Sequence, residues 1–156
     1  MGNDMEIFAA LRRHEVPFVV IGAHAVNYHG YRRATEDCDV VWLRSCKAES
    51  ALLAALSEIA AQWISDEIDP ATGIEKTIPV TLAFIRSAPL MMLTTRLGFL
   101  DLFDYVPGFP DADVSQLFAS SVDAAGIRYA SLQWLRQMKQ ASGRDKDRLD
   151  LENLPE

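Results

Sequence analysis

Short apolar blocks alternate with polar and turn-forming residues along the whole chain. Asn3 and Asp4 are good helix caps, and Ile7, Phe8 and Leu11 follow them at helical spacing until Pro17 ends the helix. Phe18-Val19-Val20-Ile21 is wholly apolar and runs into Gly22, the pattern of a buried strand meeting a turn. Residues 23–29 read as a short helix whose left-handed cap suits Gly30, and residues 37–43 read as a second strand. Leu52, Leu56, Ile59 and Trp63 fall on one stripe of a helix predicted over residues 46–64. Residues 65–77, with Pro70 and Gly73, read as a loop or irregular hairpin. Strands are expected over residues 78–85 and 99–105, linked by a less regular segment around 91–95. Pro107-Gly108-Phe109-Pro110 is a turn. Ser131 caps a helix carrying Leu132, Leu135 and Met138, Gly143 stops it, and residues 144–154 form a last short helix.

No repeat, linker or low-complexity tract interrupts this series. One α+β domain over residues 1–156 is expected, with a helical C-terminal segment from about residue 131. The 156 residues, 49% apolar and 24% charged, are enough to bury a sizeable core, which argues against disorder. No apolar stretch is long enough to span a bilayer, and the acidic N-terminus lacks the regions of a signal peptide. Glu6 stands where a myristoylation signal needs Ser or Thr, so the expected location is cytoplasmic and away from membranes. Cys38 and Cys46 are too few for a disulfide framework, match no zinc spacing, and read as packing thiols.

A net charge of −7 argues against loose binding of nucleic acid over the whole surface. The charge is nonetheless uneven. Residues 98–125 hold five Asp and no Lys or Arg, whereas residues 126–150 hold six basic residues against three acidic ones. Such a division suits a protein that holds cations and a phosphorylated ligand together.

The chemistry is concentrated in residues 18–42, FVVIGAHAVNYHGYRRATEDCDVVW. Asp37 and Asp39 lie two apart on a predicted strand, so both carboxylates leave the same face. Carboxylates held side by side repel unless a cation or proton lies between them, and hard oxygen ligands suit Mg²⁺ or Mn²⁺ shared with substrate phosphates. Gly22, at a strand–helix junction, would let a phosphate approach backbone N–H groups. Each feature alone has an ordinary explanation, a solvated acidic pair or a turn glycine. Their combination points to metal-assisted phosphoryl chemistry. His24 and His29 are spaced wrongly to share a metal on a short helix and read as structural, and Thr35 reads as a turn hydrogen-bonder.

The stretch resembles the signature of minimal nucleotidyltransferases, particularly the AbiEii-type branch, on Gly22-Ala23, His29-Gly30, Arg33-Ala34-Thr35 and Asp37-Cys38-Asp39. Gly98-Phe99-Leu100-Asp101-Leu102 is similar to the family's later strand with its third carboxylate. Lys139 through Gly143-Arg144-Asp145-Lys146-Asp147 is similar to its C-terminal pattern. The resemblance touches residues 18–150, more loosely over 65–90. It implies an α+β, polymerase-beta-like nucleotidyltransferase fold, a mixed sheet with helices mainly on one face. It also implies a site in which Asp37, Asp39 and Asp101 hold Mg²⁺ (or Mn²⁺) and catalyse transfer. Gly22 and Ala23 would face the triphosphate, and Arg33, Lys139 and Arg144 would contact phosphate or acceptor. For Lys139 and Arg144 a helix-surface salt bridge with Asp145 or Asp147 is an equal alternative. The sequence departs from many active members at Ala23, where they carry Ser.

The implied function is transfer of a nucleoside monophosphate from an NTP to a hydroxyl of RNA or protein, in a toxin–antitoxin or phage-defence setting with a protein partner. The alternative is a non-catalytic binding module or antitoxin subunit of the same fold, against which the complete set of three carboxylates counts. A metal-dependent phosphohydrolase is a third reading, but its usual His-Asp metal pattern is absent from the sequence.

Overall fold

The computed structural model describes residues 2–35 and 37–156. The chain runs α1 (Gly2–Arg13), β1 (Phe18–Ile21), α2 (Gly22–Tyr28), β2 (Asp37–Trp42), α3 (Cys46–Glu58), β3 (Gln62–Ile68), β4 (Glu75–Pro79) and α4 (Leu82–Ser87). It continues through β5 (Leu90–Thr95), β6 (Gly98–Phe103), α5 (Val114–Ala119), β7 (Val122–Ala124), β8 (Ile127–Tyr129), α6 (Leu132–Ser142) and α7 (Asp145–Asn153). The strands form one mixed sheet in the order β4-β3-β5-β6-β2-β1-β8-β7. β1 pairs antiparallel with β2, and β6 lies parallel on the other side of β2.

The three central strands are apolar because both their faces are covered. On one face Val20, Val40, Trp42, Leu100 and Leu102 pack against α1, α3 and α4, through residues such as Phe8, Leu11, Leu52, Leu56 and Ile85. This is the larger core. On the other face Val19, Ile21 and Val41 meet Leu117 of α5 and Met138 of α6 in a smaller cluster. Helices thus lie mainly on one face, as expected. The second face is left open around Asp37, Asp39 and Asp101, at the start of β2 and the middle of β6.

Several elements differ from the sequence reading. The capping expected of Asn3 lies outside the described side chains, and Asp4 is inside the first turn of α1. α3 ends at Glu58 rather than continuing to 64, with Ala60 in the left-handed region (φ 53°) and the Ala61 N–H donating back to the Leu56 carbonyl. Trp63 therefore belongs to β3, where it stacks on Phe84 at 5.1 Å. The strand expected over 78–85 is split. β4 stops at Pro79 and Thr81 caps α4, its hydroxyl accepting from the Phe84 N–H. α4 is fastened by Arg44, which donates to the carbonyls of Ile85 and Ala88 and to the carboxylates of Glu49 and Asp104. Residues 90–95, left irregular by the pattern, form β5 against β6. Cys38 is buried as a packing thiol would be, whereas Cys46 is exposed. No helix among the described residues is long and apolar enough to cross a membrane.

Candidate active site

The acidic wall is built by strand register. Asp39 lies opposite Ile21 on β1 and opposite Asp101 on β6, and in a parallel pair such partners project from the same face. Asp37 leaves that face two residues earlier, opposite Phe99 and exposed at the mouth. Leu100 and Leu102 point into the larger core. Asp101, 62 positions beyond Asp39, thereby shares one surface with the Asp37–Asp39 pair.

Gly22 makes room for this wall. It adopts φ +66°, and a Cβ there would overlap the Asp39 carboxylate. The space that its missing side chain leaves is filled by Asp39, a role the sequence reading assigned to an approaching phosphate.

Asp39 and Asp101 are held within hydrogen-bonding reach of each other. Burial, then the charges of Asp39 and Asp37, push the Asp101 carboxyl up to about 7. Asp39 is also raised, by burial and then by Asp37. Burial and mutual repulsion thus favour protonation of the pair when no cation lies between the carboxylates. A half-buried all-oxygen donor set that is short of positive charge fits Mg²⁺ or Mn²⁺. The three carboxylates are loosely gathered; the trio of ligand types with all donor atoms within 4.8 Å of one another, among the described residues, is Asp4, His24 and Cys38.

The opposite wall comes from α6, α7 and the loop after α2. Ser131 caps α6 by accepting from the Trp134 N–H, and Gly143 at φ 64° turns the chain sharply into α7. The buried Lys139 ammonium donates to Asp147 and lies 3.0 Å from both Asp147 and Asp150. Arg33 grips Asp150 with two bonds of 2.7 and 2.9 Å, and Arg144 donates to Asp147 at 2.8 Å. The two aspartates are fully buried. Burial alone would raise both, but hydrogen bonds from Arg144, Ser142 and Lys139 hold Asp147 well below the usual carboxylate range. Those from Arg33 and Lys139 lower Asp150.

The salt-bridge alternative for Lys139 and Arg144 is thus realised with Asp147, but in the interior for Lys139. Asp145 instead lies 3.7 Å from Arg148 at the surface. Asp147 and Asp150 were missed as anchors of the site; an i, i+3 pair of Asp on a short helix just after Lys139 and Arg144 was the available signal. Lys146 was missed too, and its charge acts to lower Asp39.

Between the walls lies a cleft of about 370 Å³. All eight residues picked from the sequence line it: Gly22, Ala23, Arg33, Asp37, Asp39, Asp101, Lys139 and Arg144. Thr35, Phe103, Lys146 and Asp147 join them. Thr35 exchanges hydrogen bonds with the Asp37 backbone, and His29 pairs with the Ala130 carbonyl, as structural residues do.

The same architecture is found in solved structures. The chain superposes on the antibiotic-resistance factor ANT(2'')-Ia with a TM-score of 0.59 at 14% identity, over 96% of this chain and 79% of that one. An antigenic nucleotidyltransferase-like protein from Paracoccidioides brasiliensis matches with a TM-score of 0.51 at 14% identity, over 96% and 72%. The chain has a nucleotidyltransferase fold. JHP933 from Helicobacter pylori gives a TM-score of 0.51 at 18% identity over 96% of this chain, which spans 63% of that protein's length. At the level of sequence, no family model and no curated protein matches the chain. Within this nucleotidyltransferase fold the cleft lies where the smaller core leaves the sheet uncovered.

Proposed function

We propose that the chain is a metal-dependent nucleotidyltransferase that moves a nucleoside monophosphate from an NTP to a hydroxyl of RNA or protein. The observation that carries this reading is the Asp39–Asp101 register, with Asp37 beside it, facing a wall of Arg and Lys across the cleft. The resemblance to the AbiEii-type branch adds the cytoplasmic toxin–antitoxin or phage-defence setting.

Asp37, Asp39 and Asp101 would hold Mg²⁺, which when bound neutralises phosphate charge and favours the ionised acceptor hydroxyl. Arg144 and Lys146, at the exposed rim, would bind the triphosphate. Lys139 and Arg33, tied to Asp147 and Asp150, would fix the wall's charge in place. The acceptor oxygen attacks the α-phosphorus in line, the bond to the bridging oxygen breaks, and pyrophosphate leaves along the cationic wall. In its ionised form Asp101 would accept the acceptor hydroxyl's proton.

Ala23 offers no hydroxyl to a phosphate, the feature that favours a non-catalytic binding module instead. Incubation with Mg²⁺, each α-labelled NTP and cell lysate, followed by separation of RNA from protein, decides between the two. Label in either fraction that depends on Asp101 supports the transferase. Nucleotide binding with no label in any fraction supports the binder.

A further inference from the structure

We propose that Asp4, His24 and Cys38 form a Zn²⁺ site, on the opposite side of β2 from the acidic cleft. The three residues come from α1, α2 and β2, and their donor atoms all lie within 4.8 Å of one another. The His24 Nε2 is 3.2 Å from Asp4 Oδ2 and 3.7 Å from Cys38 Sγ. Zinc bonds of about 2.0–2.1 Å to nitrogen, about 2.3 Å to sulfur and about 2.0–2.2 Å to oxygen give tetrahedral edges of roughly 3.3 Å for N···O and roughly 3.6 Å for N···S. The observed separations match those edges.

The chemistry of the trio points the same way. A single ring nitrogen carries either a proton or a lone pair, so it serves one of its two neighbours fully and the other poorly. A cation at the centre engages all three donors. The mixed N, S and O set, with its thiol, selects zinc over magnesium. Cys38 is fully buried while the side chains of Asp4 and His24 are 18% and 14% exposed, which leaves a solvent-facing side for a fourth ligand. The His24 ring is braced edge-on against Phe8 at 5.4 Å, which limits its rotation. Strand alternation turns Cys38 away from Asp37 and Asp39, so the two sites share β2 without sharing ligands. Binding releases the Cys38 proton to solvent, and ties α1 to the helix and strand that carry Gly22 and the Asp pair. The inference stands apart from the transferase reading.

The test is titration of the metal-free, reduced full chain with Zn²⁺ against a chromophoric chelator, in excess Mg²⁺ so that the cleft carboxylates are occupied. Co²⁺ is titrated in parallel to read thiolate ligation in the near ultraviolet. The expected result is one tightly bound ion per chain, a cobalt–thiolate band, and a higher melting temperature with Zn²⁺. Cys38→Ser and His24→Gln should each weaken binding by at least about 100-fold, more than loss of an outer partner costs. Cys46→Ser and Asp39→Asn should leave the affinity unchanged. Circular dichroism checks each variant, and Asp4→Asn, at the rim, carries the test if Cys38→Ser does not fold. The absence of a stoichiometric ion, or binding that follows Cys46 or Asp39 rather than Cys38 and His24, overturns the proposal and leaves a hydrogen-bonded packing cluster.

Discussion

The two walls of the cleft are opposites in how their charges are settled. On the strand wall three carboxylates share one face with no ion-pair partner among the described residues, and burial and mutual repulsion raise Asp39 and Asp101. On the helical wall Arg33, Lys139 and Arg144 surround two fully buried aspartates in a lattice of short ion pairs, and those aspartates stay ionised. The first wall lacks positive charge that a ligand can supply. The second is already satisfied, so its work is to hold shape. Three cations against two anions still leave it positive toward the cleft. Residues of like appearance in sequence, Asp101 and Asp150, are therefore expected to fail in different ways.

The largest effect should come from breaking the settled wall. Asp150→Ala leaves Arg33 without its carboxylate and Lys139 with Asp147 alone, and should lower stability by about 3–5 kcal/mol, read by denaturant unfolding. A loss confined to within about 0.5 kcal/mol, as for a surface change, would mean that the lattice is no scaffold. Asp101→Asn should do the reverse, keeping the fold and much of the Mg-NTP binding while transfer falls by ~1,000-fold, roughly 4 kcal/mol of transition-state stabilisation. Kinetics of label transfer check this, and retained activity would remove Asp101 from the chemistry.

Mg²⁺ with an NTP should stabilise the chain beyond either component alone. At a hundredfold excess over the dissociation constant the gain is about 2.7 kcal/mol, or roughly 5–11 °C in a thermal melt. A flat melt with all four nucleotides would leave the strand wall without its expected ligand.

The smallest effect is the pH profile of the metal-free protein, in which the walls act in opposite directions. A folded-state carboxyl raised to about 7 keeps its proton where the unfolded chain has lost it. Its contribution is therefore present below about pH 4, the ordinary aspartate value, and is lost as pH rises towards 7. Asp147 and Asp150 are lowered, so their contribution is present above that value and lost as pH falls below it. Stability should thus peak in mildly acidic solution and decline towards neutrality. Asp101→Asn should flatten the neutral limb alone, and saturating Mg²⁺ should move the peak upward. A neutral limb unchanged by Asp101→Asn would assign the decline to other groups.

Local pattern carried much of this. The apolar run of β1, the paired Asp of β2, the Ser131 cap and the Gly143 stop were legible because each depends on a few neighbouring residues and their backbone preferences. The end of α3 was not. Trp63 continues the apolar stripe of Ile59, but Ala60 takes a left-handed turn with no glycine to announce it, and Trp63 packs on Phe84 instead. α4 was hidden for a similar reason, since Arg44 from another element holds its C-terminal carbonyls. Nor did the pattern show α5, a short helix on the smaller core, or β7 and β8, two three-residue strands at one edge of the sheet.

The sequence by itself pointed to the acidic and basic side chains that line the cleft, because side-chain chemistry and short-range alternation are written in it directly. Tertiary structure decided everything that joins distant positions. The parallel pairing of β2 with β6 put Asp101 beside Asp39, the fold of α7 onto α6 buried Asp147 and Asp150 among the cations, and Gly22 made space for a carboxylate. The same holds for Asp4, His24 and Cys38, whose spacing along the chain signals nothing. The physical reason is that register, burial and charge pairing across elements depend on how whole surfaces pack, and no local stretch of sequence encodes that.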